Sequence, residues 1–108
     1  MERYLYSKFP KLLHKIEPKA WYYKIPDTAG TGGRRPFDAI TIIRGVPWAI
    51  EFKSKGGIVT ELQTYHLTGF RNAGGMSIVI FTGEAIQNLI KYMISKSIFE
   101  KERKYEKQ

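Results

Sequence analysis

The sequence predicts an α/β domain, a mixed sheet of about four strands flanked by helices, in the order helix, three strands, helix, strand, helix. Three observations lead there. Two β-rich stretches flank an Arg44-Gly45 pair that reads as a hairpin tip. The run "MSIVIFT" (76–82) is continuously apolar and of strand length. The segments before and after that run repeat their apolar residues at helical spacing instead.

Each element has its own signal. In residues 2–16 the apolar side chains at 5, 9, 12, 13 and 16 follow a helical repeat, with Pro10 expected to kink it or start a new turn. "AWYYKI" (20–25) is an aromatic strand ended by Pro26, and "DTAGTGGRR" is a glycine-rich loop. Strands are expected at 37–43 and 48–53, with the loop "KSKGGI" after them. Thr60 is a helix N-cap with Gln63 in capping-box spacing, and Leu62, His66, Phe70 and Ala73 are expected down one side of the helix that Gly74-Gly75 stops. The run 76–82 is expected to be a strand buried on both faces. A last helix starts at Glu84, with apolar positions 86, 89, 90, 93 and 94. One domain is assigned to residues 1–95, and the charged stretch 96–108 either extends the last helix or frays.

Composition narrows the class. At 43% hydrophobic and 14% aromatic the 108 residues are ordinary globular material, and no apolar run approaches the roughly 20 residues of a membrane helix. The start has no signal-peptide pattern, and the absence of cysteine excludes disulfides and thiolate metal sites. An intracellular, cytoplasmic location is the expectation. The net charge of +8 favours a polyanionic partner or a solubilising surface. Residues 1–35 carry eight Lys/Arg against three acids, whereas 36–94 carry five against four.

The stretch "PFDAITIIRGVPWAIEFK" (36–53) holds the chemistry. With the tip at Arg44-Gly45, residue 43 faces 46 and, stepping outward, 38 faces 51. Directly opposed side chains share a face with Cβ atoms about 4.5–5.5 Å apart, and Lys53 points the same way as Glu51. Apolar neighbours lead to the expectation that both faces of this hairpin are largely covered. Two carboxylates so placed repel and need a cation, either Lys53 or a divalent metal. Mg²⁺ suits carboxylate, water and phosphate ligands without His or Cys, and Mn²⁺ can substitute. Such an ion beside a lysine is the equipment of phosphodiester hydrolysis, with Lys53 positioning or deprotonating the nucleophile. The alternative is a hairpin end whose charges only keep the sheet soluble.

This pattern resembles the PD-(D/E)XK nuclease superfamily, through "PFD" (36–38) in place of its Pro-Asp pair and "EFK" (51–53) as its Glu-x-Lys element. The inserted Phe37 is a departure from the motif. The order of elements resembles the superfamily's restriction-endonuclease-like core over residues 2–94. The chain looks most similar to the compact VRR-NUC and Holliday-junction-resolvase-like branches, through "GTGGRRPFD", the helix "TELQTYHLTGFRNAGG" and the strand "SIVIF". The resemblance implies a single nuclease domain in which Asp38, Glu51 and the Phe52 carbonyl bind the metal and Lys53 serves the attacking water. It implies that Gln63 faces the site, which its capping role neither requires nor forbids. A further glutamate from the first helix is implied, with Glu2 the positional candidate and Glu17 the weaker one.

Arg34 and Arg35, beside Gly30, Gly32 and Gly33, are candidates to hold phosphates, as is Lys55 just past the Glu-x-Lys strand; a solvated loop would carry the same residues. His66 is expected in packing and His14 at the surface. Tyr22 and Tyr23 either stack on unpaired bases or join the core. "GTGG" lacks the Lys-Ser/Thr and helix of a P-loop. The expectation is a Mg²⁺-dependent DNA endonuclease selective for branched or junction DNA, acting as a homodimer because a junction has two scissile strands. The alternatives are another nuclease of the superfamily, restriction-like or repair, acting on duplex or flap DNA, or a non-catalytic DNA-binding protein of the same fold.

Overall fold

The computed structural model describes residues 2–26 and 35–106, with backbone alone at 2, 3 and 104–106. The elements follow the expected order: α1 (Glu2–Ile16), β1 (Trp21–Lys24), β2 (Ala39–Ile43), β3 (Val46–Lys53), α2 (Glu61–Asn72), β4 (Met76–Phe81) and α3 (Ile86–Glu106). The sheet runs β1-β2-β3-β4, antiparallel except for the parallel β3–β4 pair. α1 passes through Pro10 as one helix.

The β2–β3 hairpin turns on Arg44 (φ 51°) and Gly45 (φ 82°), the two left-handed residues of a type I′ turn. The Arg44 guanidinium donates to Glu17 Oε2 at 2.6 Å. This tip sets Ile43 against Val46 and Ala39 against Ile50, the register that the sequence predicts. β3 starts at Val46, earlier than expected, because β4 begins only opposite Trp48; Pro47 therefore has no neighbour on that side to miss its N–H.

β3 is the central strand, and its two faces serve different layers. Trp48, Ile50 and Phe52 enter a core closed by Leu5, Phe9 and Leu13 of α1 and by Ile86, Ile90 and Met93 of α3. The other face meets α2, where Ala49 packs with Phe37 and Leu67, and Phe70 lies edge-on to Phe37. Gly74 (φ 108°) ends α2 in a left-handed conformation, and at Gly75 a Cβ would collide with the Phe70 ring.

Four expectations are corrected. β4 is an edge strand with only Ile80 buried, since the strand covered on both faces is β3. α2 buries Leu67, not the stripe of Leu62, His66 and Ala73: Leu62 is 49% exposed, because the helix meets the sheet through Gln63, Leu67 and Phe70. α3 begins at Ile86, and Glu84 instead accepts the Phe81 N–H in the preceding turn. The hairpin is not covered on both faces, because α2 lies over β3 and β4 and leaves Ile42 and the β1 residues Trp21 and Tyr23 open.

α3 continues to Glu106, and Ser97 within it is fully buried. Its hydroxyl accepts the Trp48 indole N–H at 2.8 Å and donates to the Met93 carbonyl. Ser97→Ala leaves that indole N–H buried without its acceptor, and a urea titration is expected to show a loss of about 1–3 kcal/mol; unchanged stability would mean the indole is satisfied without Ser97.

Candidate functional site

The site forms where the hairpin ends. β2 stops at Ala39, and Asp38 lies just beyond it, its N–H donating to the Ile50 carbonyl and its carbonyl accepting from Ile25. The register would pair Phe52 with residue 37, but the Phe52 N–H goes to Asp38 Oδ2 at 2.8 Å instead. The side chain thus completes the ladder that the backbone leaves, which fixes one carboxylate oxygen and seals a buried amide.

Glu51 comes from the α2 face of β3 and is 3% exposed; Asp38 is 4% exposed. Burial and the neighbouring Asp38 charge push the Glu51 carboxyl up to about 7, a hydrogen bond to Asp38 adds to this, and Lys53 and Arg35 pull the other way. Arg35 reaches Asp38 Oδ1 at 2.6 Å and is itself held by the Ile25 carbonyl and the Tyr6 hydroxyl. Lys53 Nζ stands 3.7 Å from Glu51 Oε2. Gln63 Nε2 donates to the same oxygen at 2.8 Å, while its Oε1 accepts the Thr60 N–H in the capping box. Both readings of Gln63 are met by one amide, with one end capping α2 and the other fixed on Glu51. Tyr22 adds a buried hydroxyl with no hydrogen-bond partner among the described residues; burial first, then Asp38 and Tyr6, raise its pKa and keep it protonated.

Asp38, Glu51, Lys53 and Gln63 therefore converge. Arg35 does too, as the ion-pair partner of Asp38, where a contact to phosphate was expected. Glu17 does not: Pro18 turns the chain out of α1 there, and its carboxylate binds Arg44 at the far end of the hairpin. The Glu2 side chain, Arg34 and the glycines of the loop lie outside the described residues. Lys55 is exposed, its N–H bound to Thr82 Oγ1. His14 is exposed with Nε2 3.0 Å from the Ala20 carbonyl, and His66 lies half-buried against the Tyr65 ring. Sequence reasoning missed Tyr6, whose hydroxyl steadies Arg35 from another layer and carries no local signal for it.

A hard divalent cation fits this donor set. Burial first, and then the neighbouring Asp38 charge, favour a proton on Glu51, the condition a shared cation would relieve. No group of three or more His, Cys, Asp or Glu side chains suited to a metal occurs among the described residues, so remaining ligands would be carbonyl, water or substrate oxygens.

A mixed four-stranded sheet with α1 and α3 on one face and α2 on the other defines an α/β fold, with an acidic pair at the end of its β2–β3 hairpin. More narrowly, the fold is that of a solved VRR_NUC domain, which matches with a TM-score of 0.56 at 21% identity, over 78% of this chain and 91% of that one. No protein-family profile and no curated protein matches the sequence. No helix among the described residues is long and apolar enough to cross a membrane.

The raised Glu51 pKa has a stability consequence of definite sign. Between the ordinary 4.5 and about 7 the folded chain holds a proton that the unfolded chain has lost, so this carboxyl's contribution is full below pH 4.5 and falls as pH rises through 7. Glu51→Gln is expected to be more stable than the parent at pH 8, by on the order of 2–3 kcal/mol, and no more stable at pH 4. Denaturant titrations across pH check this, and a difference that does not change with pH would contradict it.

Proposed function

We propose that the chain is a divalent-metal-dependent DNA endonuclease that hydrolyses phosphodiester bonds, acting on branched or junction DNA as a homodimer. The observation that carries the reading is the buried Asp38–Glu51 pair with Lys53 3.7 Å and Gln63 2.8 Å from one Glu51 oxygen. The VRR_NUC fold and the net charge of +8 support it.

In this reading Asp38 and Glu51, with the Phe52 carbonyl, hold Mg²⁺ or Mn²⁺. Bound there, the cation supplies Lewis acidity to a phosphate oxygen and acidifies the attacking water. Asp38 is steered by two contacts, the Phe52 N–H on one oxygen and Arg35 on the other, so its carboxylate is oriented before any ligand arrives. Gln63 does the same for Glu51 from the first turn of α2. Lys53 directs or deprotonates the water and offsets the charge that develops on the phosphate. Its side chain is only 14% exposed, so it acts in a site with little competing water. Arg34 and Lys55 supply backbone phosphate contacts. The chain is small for reading many bases, so shape and backbone guide it more than a long sequence.

The test is cleavage of labelled four-way junction, flap, single-stranded and linear duplex DNA with Mg²⁺ or Mn²⁺. Paired symmetric nicks on the junction are expected, with Glu51→Gln inactive and Lys53→Met slowed about 10²-fold or more while both still bind DNA. Equal cutting of every substrate would leave a nuclease of another preference; binding without any cutting would reduce the chain to a DNA-binding protein.

A further inference from the structure

The side chains of Trp21 and Tyr23 of β1 and Ile42 of β2 emerge on the α2 face of the sheet, on the half that α2 leaves bare. They are 51%, 47% and 39% exposed. The Trp21 and Tyr23 rings lie 5.8 Å apart and nearly parallel, at 10°. The alternate residue, Tyr22, packs against Phe9 on the other face, so β1 turns one aromatic inward and two outward. An outward pair of large flat rings on an edge strand is apolar surface that no element among the described residues covers, the kind of surface that marks an interaction site.

Position and charge select the occupant. Tyr23 is paired with Ile40, two residues from Asp38, so its backbone lies about 7 Å along the strand from the level of Asp38. At the other end Trp21 and Ile42 border a cleft lined also by Lys19, Arg44 and Lys101, against the single acid Glu17, and Lys101 Nζ reaches to within 3.8 Å of where a Gly45 Cβ would stand. A second copy docking by its own matching patch would set these cations against each other. A polyanion with flat apolar bases has the complementary chemistry. We infer that Trp21 and Tyr23 form a base-stacking platform for an unpaired DNA strand, which runs from the Lys19–Lys101 end across the open sheet to the Asp38–Glu51 site. The inference rests on the nuclease reading and deepens it: the substrate class becomes DNA with an unpaired stretch beside the scissile phosphate.

The test uses the full chain in EDTA, where cutting cannot interfere, titrated with a labelled oligothymidylate. Only two tryptophans are present, and Trp48 is buried, so quenching of exposed indole emission reports Trp21. Quenching on binding is expected, with Trp21→Ala and Tyr23→Ala each weakening affinity about ten-fold or more and Trp21→Phe retaining it. Circular dichroism melts verify that each variant is folded. Folded alanine variants that bind like the parent would overturn the platform, as would an alanine pair that abolishes a dimer in sedimentation but leaves oligonucleotide affinity intact. Cleavage by the parent with Mg²⁺ is scored separately. Cutting with ring-independent binding removes the platform alone, and ring-dependent binding without cutting on any substrate removes the nuclease reading alone.

Discussion

The register of the β2–β3 hairpin decides what every other part of the molecule can do. β3 faces a hydrophobic core on one side and the site on the other, and a strand alternates its side chains with a period of two. A slip of one residue would push Glu51 and Lys53 among Leu5, Phe9 and Met93, and would swing Phe52 out. Arg44 and Gly45 prevent this by holding two consecutive left-handed residues, a geometry that permits only a two-residue tip. The strain of an arginine at φ 51° is met by its ion pair to Glu17, which ties the tip to the exit of α1.

Given that register, the site is an exercise in compensating two buried acids with four groups. The backbone answers one oxygen of Asp38 and Arg35 the other, while Lys53 and the Gln63 amide share one oxygen of Glu51. The compensation does not offset burial and the Asp38 charge, which together raise the Glu51 pKa. The groups come from separate elements: α1 through Tyr6, the β2 end, β3 and the first turn of α2. A site assembled this way is only as ordered as the packing between layers, so Phe52, wedged against Tyr6 and Phe9, belongs to its support as much as to the core.

Much of this was legible in the sequence because local rules sufficed. Arg-Gly between β-rich runs fixes a hairpin and hence the facing of 38 and 51, and Thr60 with Gln63 fixes the start of α2. One failure was local, since Glu84 accepts the Phe81 N–H instead of opening α3, and the others were tertiary. The apolar run of β4 looks like a strand buried on both faces, yet its place at the sheet edge follows from the pairing order, which its own residues do not encode. The face of α2 was misread because Leu62 and Leu67 are equally apolar, and only the docking of Gln63 on Glu51 selects between them. Arg35 carried the right charge for a phosphate, but its pairing with Asp38 depends on a bend after the loop that spacing alone does not reveal.

The hydrogen bond from the Trp48 indole to Ser97 spans 49 positions. β3 therefore cannot finish burying its largest side chain until α3, the element that follows all the others, has emerged and folded back. During synthesis the hairpin and α2 precede that event, so the acidic pair can be drawn together on a strand whose opposite face is still unclosed. Closure of the core behind the site is thereby timed to the arrival of α3, and a chain lacking that helix would present the acidic pair on a sheet whose opposite face is covered by α1 alone.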